Sequence, residues 1–195
     1  MFITAMELKE HNYILHGQRV VLRPMTEDDW QVLARWETDP EVIYWADSDP
    51  KATRTLEEVQ YIFRLVSQNA YCFVVEVDNI PIGSCWLQRM NIEEILKKYH
   101  DQDCRRIDLA LGKESWGQGF GTDVIRTLTQ FAFEHEKADI VFGGVSDYNE
   151  RSQRTFIRAG YKLRLKLKDP PGSKAQYAYW HAMSRKDWVK KLTEF

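Results

Sequence analysis

Cysteine is scarce: Cys72, Cys85 and Cys104 are the whole complement of the 195-residue chain. The count is odd, the spacing is scattered and no CxxC occurs, so a disulfide framework is excluded and a reducing compartment fits better. The cytoplasm is the expectation. An excess of one charge is missing too. Lys and Arg number 27 against 29 Asp and Glu, a formal net charge of −2, which leaves no global basic field of the kind that non-specific nucleic-acid binding needs. Nucleic acid is therefore not expected as a partner. The N-terminal stretch MFITAMELKEHNYILHG carries acids and no long apolar run, so it reads as neither a signal peptide nor a spanning helix, and no membrane association is expected. His11, His16, His100, His135 and His181 show no ligand spacing, and His135-Glu136 lacks the second histidine of a zinc helix, so no metal is implied. Glycine is sparse at 10 residues, yet three of them fall in GQGFG at positions 117–121.

What is present is material for a core. Hydrophobic residues make up 44% and aromatics 13% of the chain, enough for a single domain over 1–195 with 1–17 as an N-terminal extension. RVVLRPM (19–25) alternates as a strand, and Thr26 then precedes a helix with acids in its first turn. A second helix is predicted over 55–68, where Leu56, Val59, Ile62 or Phe63, and Val66 recur at helical spacing. AYCFVVEVD and PIGSCWLQRM form a hairpin around Asn79, and 91–103 forms a short helix with a loop. CRRIDLALGK (104–113) alternates with Ile107, Leu109 and Leu111 on one face and Asp108 and Ala110 on the other. A helix to about Lys137 follows the glycines; then come the strand DIVFGGVS and the helix NERSQRTFIRAG, closed by Gly160. YKLRLKLKD, a PPG turn and QYAYWHAMS close the chain as a strand pair. Hairpins and crossovers together predict a mixed sheet.

A helix start leaves backbone N–H groups without partners and carries the positive end of the helix dipole, so glycines there let an anion approach the main chain. The same residues also fit a bare tight turn. No Gly-Lys-Ser/Thr follows, so this is not a Walker A loop, and the spacing is not GxGxxG.

About 30 residues downstream stands NERSQRTFIRAGYK. With the glycine stretch, it resembles the GNAT superfamily of acetyl-CoA-dependent N-acetyltransferases, from LRPMTEDDW near residue 22 to the closing AMSRKDW. The resemblance implies an α/β (α+β) fold: a central mixed, mostly antiparallel twisted sheet flanked by helices. It also implies that backbone amides around Gly117, Gln118, Gly119, Phe120, Gly121 and Thr122 cradle the coenzyme A pyrophosphate. Leu109, Ala110 and Leu111 would pair with the pantetheine arm. Trp116 stands where the family often has Gln or Arg, as is common in the branch of ribosomal-protein N-terminal and aminoglycoside 6'-acetyltransferases.

Acetyl transfer to an amine needs a positioned thioester, a deprotonated nucleophile, a stabilised oxyanion and a proton for the departing thiolate. A lysine-like amine, with a pKa near ~10.4, arrives protonated, so a carboxylate or water must take its proton. RRIDLALG resembles the aminoglycoside 6'-acetyltransferase strand whose aspartate lies in the active site, which makes Asp108 the candidate; the alternative is an ion pair with Arg105 or Arg106. Asn149 matches the family asparagine that helps hold the cofactor arm and also suits a helix cap; Ser152 fits the same helix face. Phe156 occupies the place of the tyrosine that many relatives use as acid, and a phenyl ring has no proton to give. Water, Tyr148 or Tyr161 would substitute. ETDPEVIYWADSDP (37–50) holds acids and no base, so Asp47, Asp49 and an aromatic wall at Trp45 form a candidate acceptor site, or else a solvated acidic surface.

The expectation is an acetyl-CoA-dependent N-acetyltransferase acting on a small cationic amine such as an aminoglycoside or polyamine, as a monomer or homodimer. The alternatives are a protein N-terminus as acceptor, favoured by Gly144 where aminoglycoside enzymes carry a further acid, or an acyl-CoA sensor without turnover. KLRLKLK (162–168) reads as a strand with one wet face. The cysteines read as buried packing residues.

Overall fold

Alternating apolar stretches separated by turn residues become strands of one sheet. The structure, a computed structural model, describes residues 6–193. Its strands are β1 (Leu15–His16), β2 (Val21–Pro24), β3 (Ala70–Val77), β4 (Ile80–Arg89), β5 (Cys104–Leu111), β6 (Ile140–Ser146), β7 (Lys162–Lys168) and β8 (Tyr177–Ser184). The helices are α1 (Trp30–Glu37), α2 (Pro40–Ala46), α3 (Leu56–Ser67), α4 (Glu93–Lys98), α5 (Phe120–Glu134), α6 (Glu150–Ala159) and α7 (Arg185–Thr193). The eight strands are ordered β1-β2-β3-β4-β5-β6-β8-β7. Every neighbouring pair is antiparallel except β5 and β6. The β3–β4 hairpin turns through Asp78 and Asn79, both at positive φ, as a tight two-residue connection matched to strand twist requires.

Because side chains alternate across a strand, each face of the sheet collects its own core. Ile107, Leu111, Val124, Leu128, Phe131 and Phe156 pack on the side covered by α5 and α6. Leu33, Trp36, Val59, Phe63 and Val74 pack on the side covered by α1 and α3. A further cluster under α4 joins Ile95, Phe142 and Trp180. Two adjacent glycines in β6 serve both faces. The Phe156 ring fills the space a Cβ at Gly143 would need, and Cη2 of Trp180 lies 2.8 Å from where a Cβ at Gly144 would stand.

The parallel junction determines where a ligand can enter. The β5–β6 ladder covers only Cys104–Arg106 against Ile140–Phe142, and beyond it the two strands part. Gly112 N–H donates to Ile82 and Met90 N–H to the Cys104 carbonyl, so the backbone groups of even-numbered β5 residues face β4. Those of Ile107, Leu109 and Leu111 face the opening.

Two expectations need correction. The chain does not close on a strand pair, because α7 follows β8. Within 37–50, Pro40 opens α2, and the Asp39 side chain accepts from the N–H groups of Glu41 and Val42 to cap it. Tyr161 is no proton donor for the site. It is buried in the core, its hydroxyl 2.5 Å from Thr129 Oγ1, and burial pushes its phenol pKa far up.

Candidate active site

The glycine turn is built by backbone conformation, not by crowding. Gly117 and Gly119 have φ of +76° and +88°, and a Cβ at either would meet nothing within 4 Å. Such φ values disfavour any residue with a side chain. Gly119 is the N-cap of α5 and no side chain caps that helix. The one acid of its first turn, Asp123, is turned away to accept from the N–H groups of Gln18, Arg19 and Val20. Thr122 is the exception among the expected donors, because its N–H closes on the Gly119 carbonyl at 3.1 Å. The helix therefore presents uncapped donors and roughly half a positive charge at its start.

Beside this turn stand two indoles and a cation. Trp116 Nε1 donates to the Leu111 carbonyl at 2.8 Å, fixing the ring against the end of β5. The guanidinium of Arg151, in the first turn of α6, lies 3.5 Å from the Trp116 ring centre and 5.3 Å from that of Trp45. Other arginines that are not fully exposed have partners: Arg23, Arg54, Arg64, Arg105 and Arg106 pair with carboxylates, and Arg185 with two carbonyls. Arg151 has neither, and burial holds its pKa below the ordinary value. Stacking engages the guanidinium face and leaves its N–H edge free for an anion. Sequence reasoning passed over Arg151, since nothing in NERSQR marks it as stacked.

Ala110 does not belong to the opening. It is the register partner of Ser84 on β4, and its side chain packs against the core that holds Trp36. Leu109 and Leu111 remain the residues whose main chain faces the gap.

Asp108 pairs with Arg106, not with Arg105. Arg106 Nη2 donates to Asp108 Oδ1 at 2.7 Å, while Arg105 pairs with Asp103 and Glu136. Arg106 Nε and Asp108 Oδ2 come within 2.6 Å but are not aligned as a hydrogen bond. Trp86 faces Asp108 across the β4–β5 register. Trp180, held flat over Gly144, brings its ring within 5.7 Å of the Arg106 guanidinium. The ion pair thus lies between two indoles.

Most acids of 37–50 have partners within the protein, while Glu41 and Asp49 stay exposed. Arg54 reaches both Glu37 and Asp47, Lys113 lies 3.0 Å from Asp39 and 3.9 Å from Glu41, and Asp49 accepts from the Lys51 N–H. Glu37 was read only as one acid of that run, yet it is buried and accepts from Ser84 Oγ at 2.5 Å. Burial raises its pKa despite Ser84 and Arg54.

Tyr148 and Asn149 tie the β6–α6 loop to α2. The Tyr148 hydroxyl lies 3.0 Å from the Tyr44 carbonyl and 2.9 Å from that of Asp47. Asn149 Nδ2 donates to the Trp45 carbonyl while its Oδ1 accepts from Ser152 N–H as the helix cap. Burial raises the Tyr148 phenol pKa. Phe156 is buried against Gly143 and Tyr161. All three cysteines are buried and free, and burial pushes the Cys72 thiol to about 12 and that of Cys104 to about 11, so neither is a nucleophile at neutral pH. No helix among the described residues is long and apolar enough to cross a membrane.

What fits a row of main-chain donors next to an open strand edge is a long carrier with a diphosphate at one end, and the class so defined is that of acyltransferases using an acylated coenzyme. Comparison with known proteins agrees. A family model described as an acetyltransferase (GNAT) domain matches residues 19–162, and the chain belongs to that family. It is an acetyl-CoA-dependent N-acetyltransferase. It is similar to an aminoglycoside N(6')-acetyltransferase type 1 of Klebsiella pneumoniae, 23% identical over 88% of each chain. An uncharacterized N-acetyltransferase of Bacillus licheniformis is 25% identical, over 80% of this chain and 85% of the relative. Among solved structures, AAC(6')-Ib in complex with ribostamycin and coenzyme A superposes with a TM-score of 0.76 at 22% identity, covering 89% of this chain and 97% of that one. Mycobacterium smegmatis RimJ in complex with CoA-disulfide gives 0.73 at 14% identity, over 90% and 89% of the two chains. At these identities the solved structures bear on the fold alone.

Proposed function

We propose that the chain moves acetyl from acetyl-CoA to a single primary amine held at Asp108, by direct attack in a ternary complex. The observation that carries this reading is the uncapped start of α5 beside the unpaired edge of β5. The diphosphate rests on the amides of Gly117–Gly121 and on the free edge of Arg151. The pantetheine arm runs along Leu109 and Leu111, and Asn149 and Ser152 border it from α6. Asp108 orients the acceptor ammonium and takes its proton; the nitrogen lone pair attacks the thioester carbonyl carbon, the carbon–sulfur bond breaks, and water carries the second proton from the new amide nitrogen to the departing thiolate. Tyr148 is a poorer donor than an ordinary tyrosine, because its proton is already shared with the carbonyls of Tyr44 and Asp47 and burial raises its pKa.

The acceptor brings one ammonium and not a row of them. Lys113 sits against Asp39 and Arg54 is shared by Glu37 and Asp47, which offsets part of the negative charge, so Trp45, Asp47 and Asp49 offer a wall more than a field. A polycationic acceptor is the second reading, supported by the likeness to an aminoglycoside acetyltransferase and by exposed Glu41 and Tyr44 at the same mouth. Asp108→Asn is expected to lower turnover by roughly 10²–10³, in the range of a lost proton acceptor, with coenzyme A affinity unchanged by calorimetry. Full activity in that variant removes Asp108 from the mechanism.

A further inference from the structure

Buried hydrogen-bonding groups in folded proteins are almost always paired, so unpaired ones at a site need a reason. Among the described residues, Trp86 Nε1, Trp180 Nε1, Arg106 Nε, Asp108 Oδ2 and His181 Nδ1 are buried without a hydrogen-bond partner. Arg106 Nε and Asp108 Oδ2 lie 2.6 Å apart in their ion pair and satisfy each other as charges, which leaves the two indole N–H groups of the same cluster unpaired. Trp86 is the register partner of Asp108, Arg106 pairs with Asp108, and the Trp180 ring lies 5.7 Å from the Arg106 guanidinium. His181 is separate: it is the register partner of Gly143 and stacks near Phe156 on the opposite face.

The indoles are rigidly placed. Trp180 is 5% exposed and rests on Gly144, where any Cβ would stand 2.8 Å from its ring. Trp86 is held edge-on against Phe63, ring centres 5.6 Å apart. Neither indole can turn to find another acceptor, and an indole N–H can only donate.

We propose that Trp86 and Trp180 are specificity-determining residues whose N–H groups receive an oxygen carried next to the acceptor's amine, so that the acceptor is an α-amino acyl compound. This rests on the reading of Asp108 as the ammonium site. The cluster offers donors to the oxygen and one acceptor, the Asp108 carboxylate, to the ammonium. A carbonyl or carboxylate oxygen satisfies the donors completely. A hydroxyl would bring a proton that competes with the ammonium for Asp108, and a plain alkylamine would leave both indoles unpaired, which such sites reject.

The test is calorimetric binding of alaninamide, alanine, ethanolamine and ethylamine to the coenzyme A complex, together with KM and kcat for each. The wild type is expected to bind alaninamide or alanine at least about tenfold more tightly than ethylamine, on the scale of one well-made hydrogen bond. A lead for alaninamide indicates a peptide N-terminus, and one for alanine a free amino acid. Trp180→Phe and Trp86→Phe should each erase most of that lead through KM, with kcat and coenzyme A affinity nearly unchanged. Equal binding of all four amines by the wild type overturns the inference, as does an equal loss for every amine in both variants, which marks a packing role. Because binding is read without turnover, a complex that prefers alaninamide yet transfers no acetyl group would sink the transferase reading and leave this one standing.

Discussion

A carboxylate taken out of water holds its proton more tightly, and Glu37 is the plainest case in this molecule. Its raised pKa comes first from burial, against the opposing pull of Ser84 and Arg54. For such a group the folded state binds more protons than the unfolded one above the ordinary value of 4.5, so its contribution is greatest below that pH and is lost as pH rises through the folded value. Glu37→Gln keeps a partner for Ser84 without the charge. The stability advantage of the wild type over this variant should therefore shrink as pH is raised from about 4.5 towards neutrality, read as the difference in Tm between the two proteins at each pH. A constant difference would mean that Glu37 is ionised alike in both states. Little of this was legible in the sequence. Acids of 37–50 look solvated when read in a row, whereas the ion-pairing Arg54 is 17 residues away from Glu37 and Lys113 lies on another part of the chain.

Elements with strong periodicity or a cap were legible in detail. α3 lies where the apolar spacing of 55–68 placed a helix, opened by a Thr55–Glu58 capping box, and Gly160 ends α6 in the left-handed region. The missed helix, α7, buries none of its residues and so lacks an apolar stripe; the signal that could have found it was Ser-Arg-Lys-Asp. Ser184 Oγ accepts from the Asp187 N–H at its start, one half of a capping box, and donates to the Asp187 carboxylate. The junction of α5 and α6 was half legible. Glycines announced the anion cradle, but the cation beside it comes from α6, which approaches α5 through Thr155, 3.2 Å from the Cβ position of Gly121, and through the hydrogen bond from Arg126 to the Arg158 carbonyl. Arg151→Gln should weaken coenzyme A binding about tenfold or more, the loss of a charge-assisted hydrogen bond, and make that binding less sensitive to salt. Pantetheine, which has no diphosphate, should bind both proteins alike. An unchanged coenzyme affinity would leave Arg151 as a stacking residue only.

At the scale of the whole molecule, the sheet is one piece with a split in it, and the split is bridged from above. The β5–β6 ladder ends after Arg106, and α2 crosses to the far side through Tyr148, Asn149 and Lys174, which reach the carbonyls of Tyr44, Asp47 and Trp45. Sequence reading found both strands but not their parting, because ladder length depends on the path each strand takes after pairing. The bridge also gives Tyr148 a use that competes with proton donation. A phenol with a raised pKa whose proton lies between two carbonyls is a worse acid than an ordinary tyrosine and a good strut. Tyr148→Phe should remove about 1 kcal/mol of hydrogen bonding from α2 and speed amide exchange across residues 40–50, since local opening follows the few bonds that hold an element down. Turnover should fall by less than about tenfold, because water still reaches the thiolate. A drop of a hundredfold or more with unchanged exchange in α2 would reverse the assignment and make Tyr148 the acid.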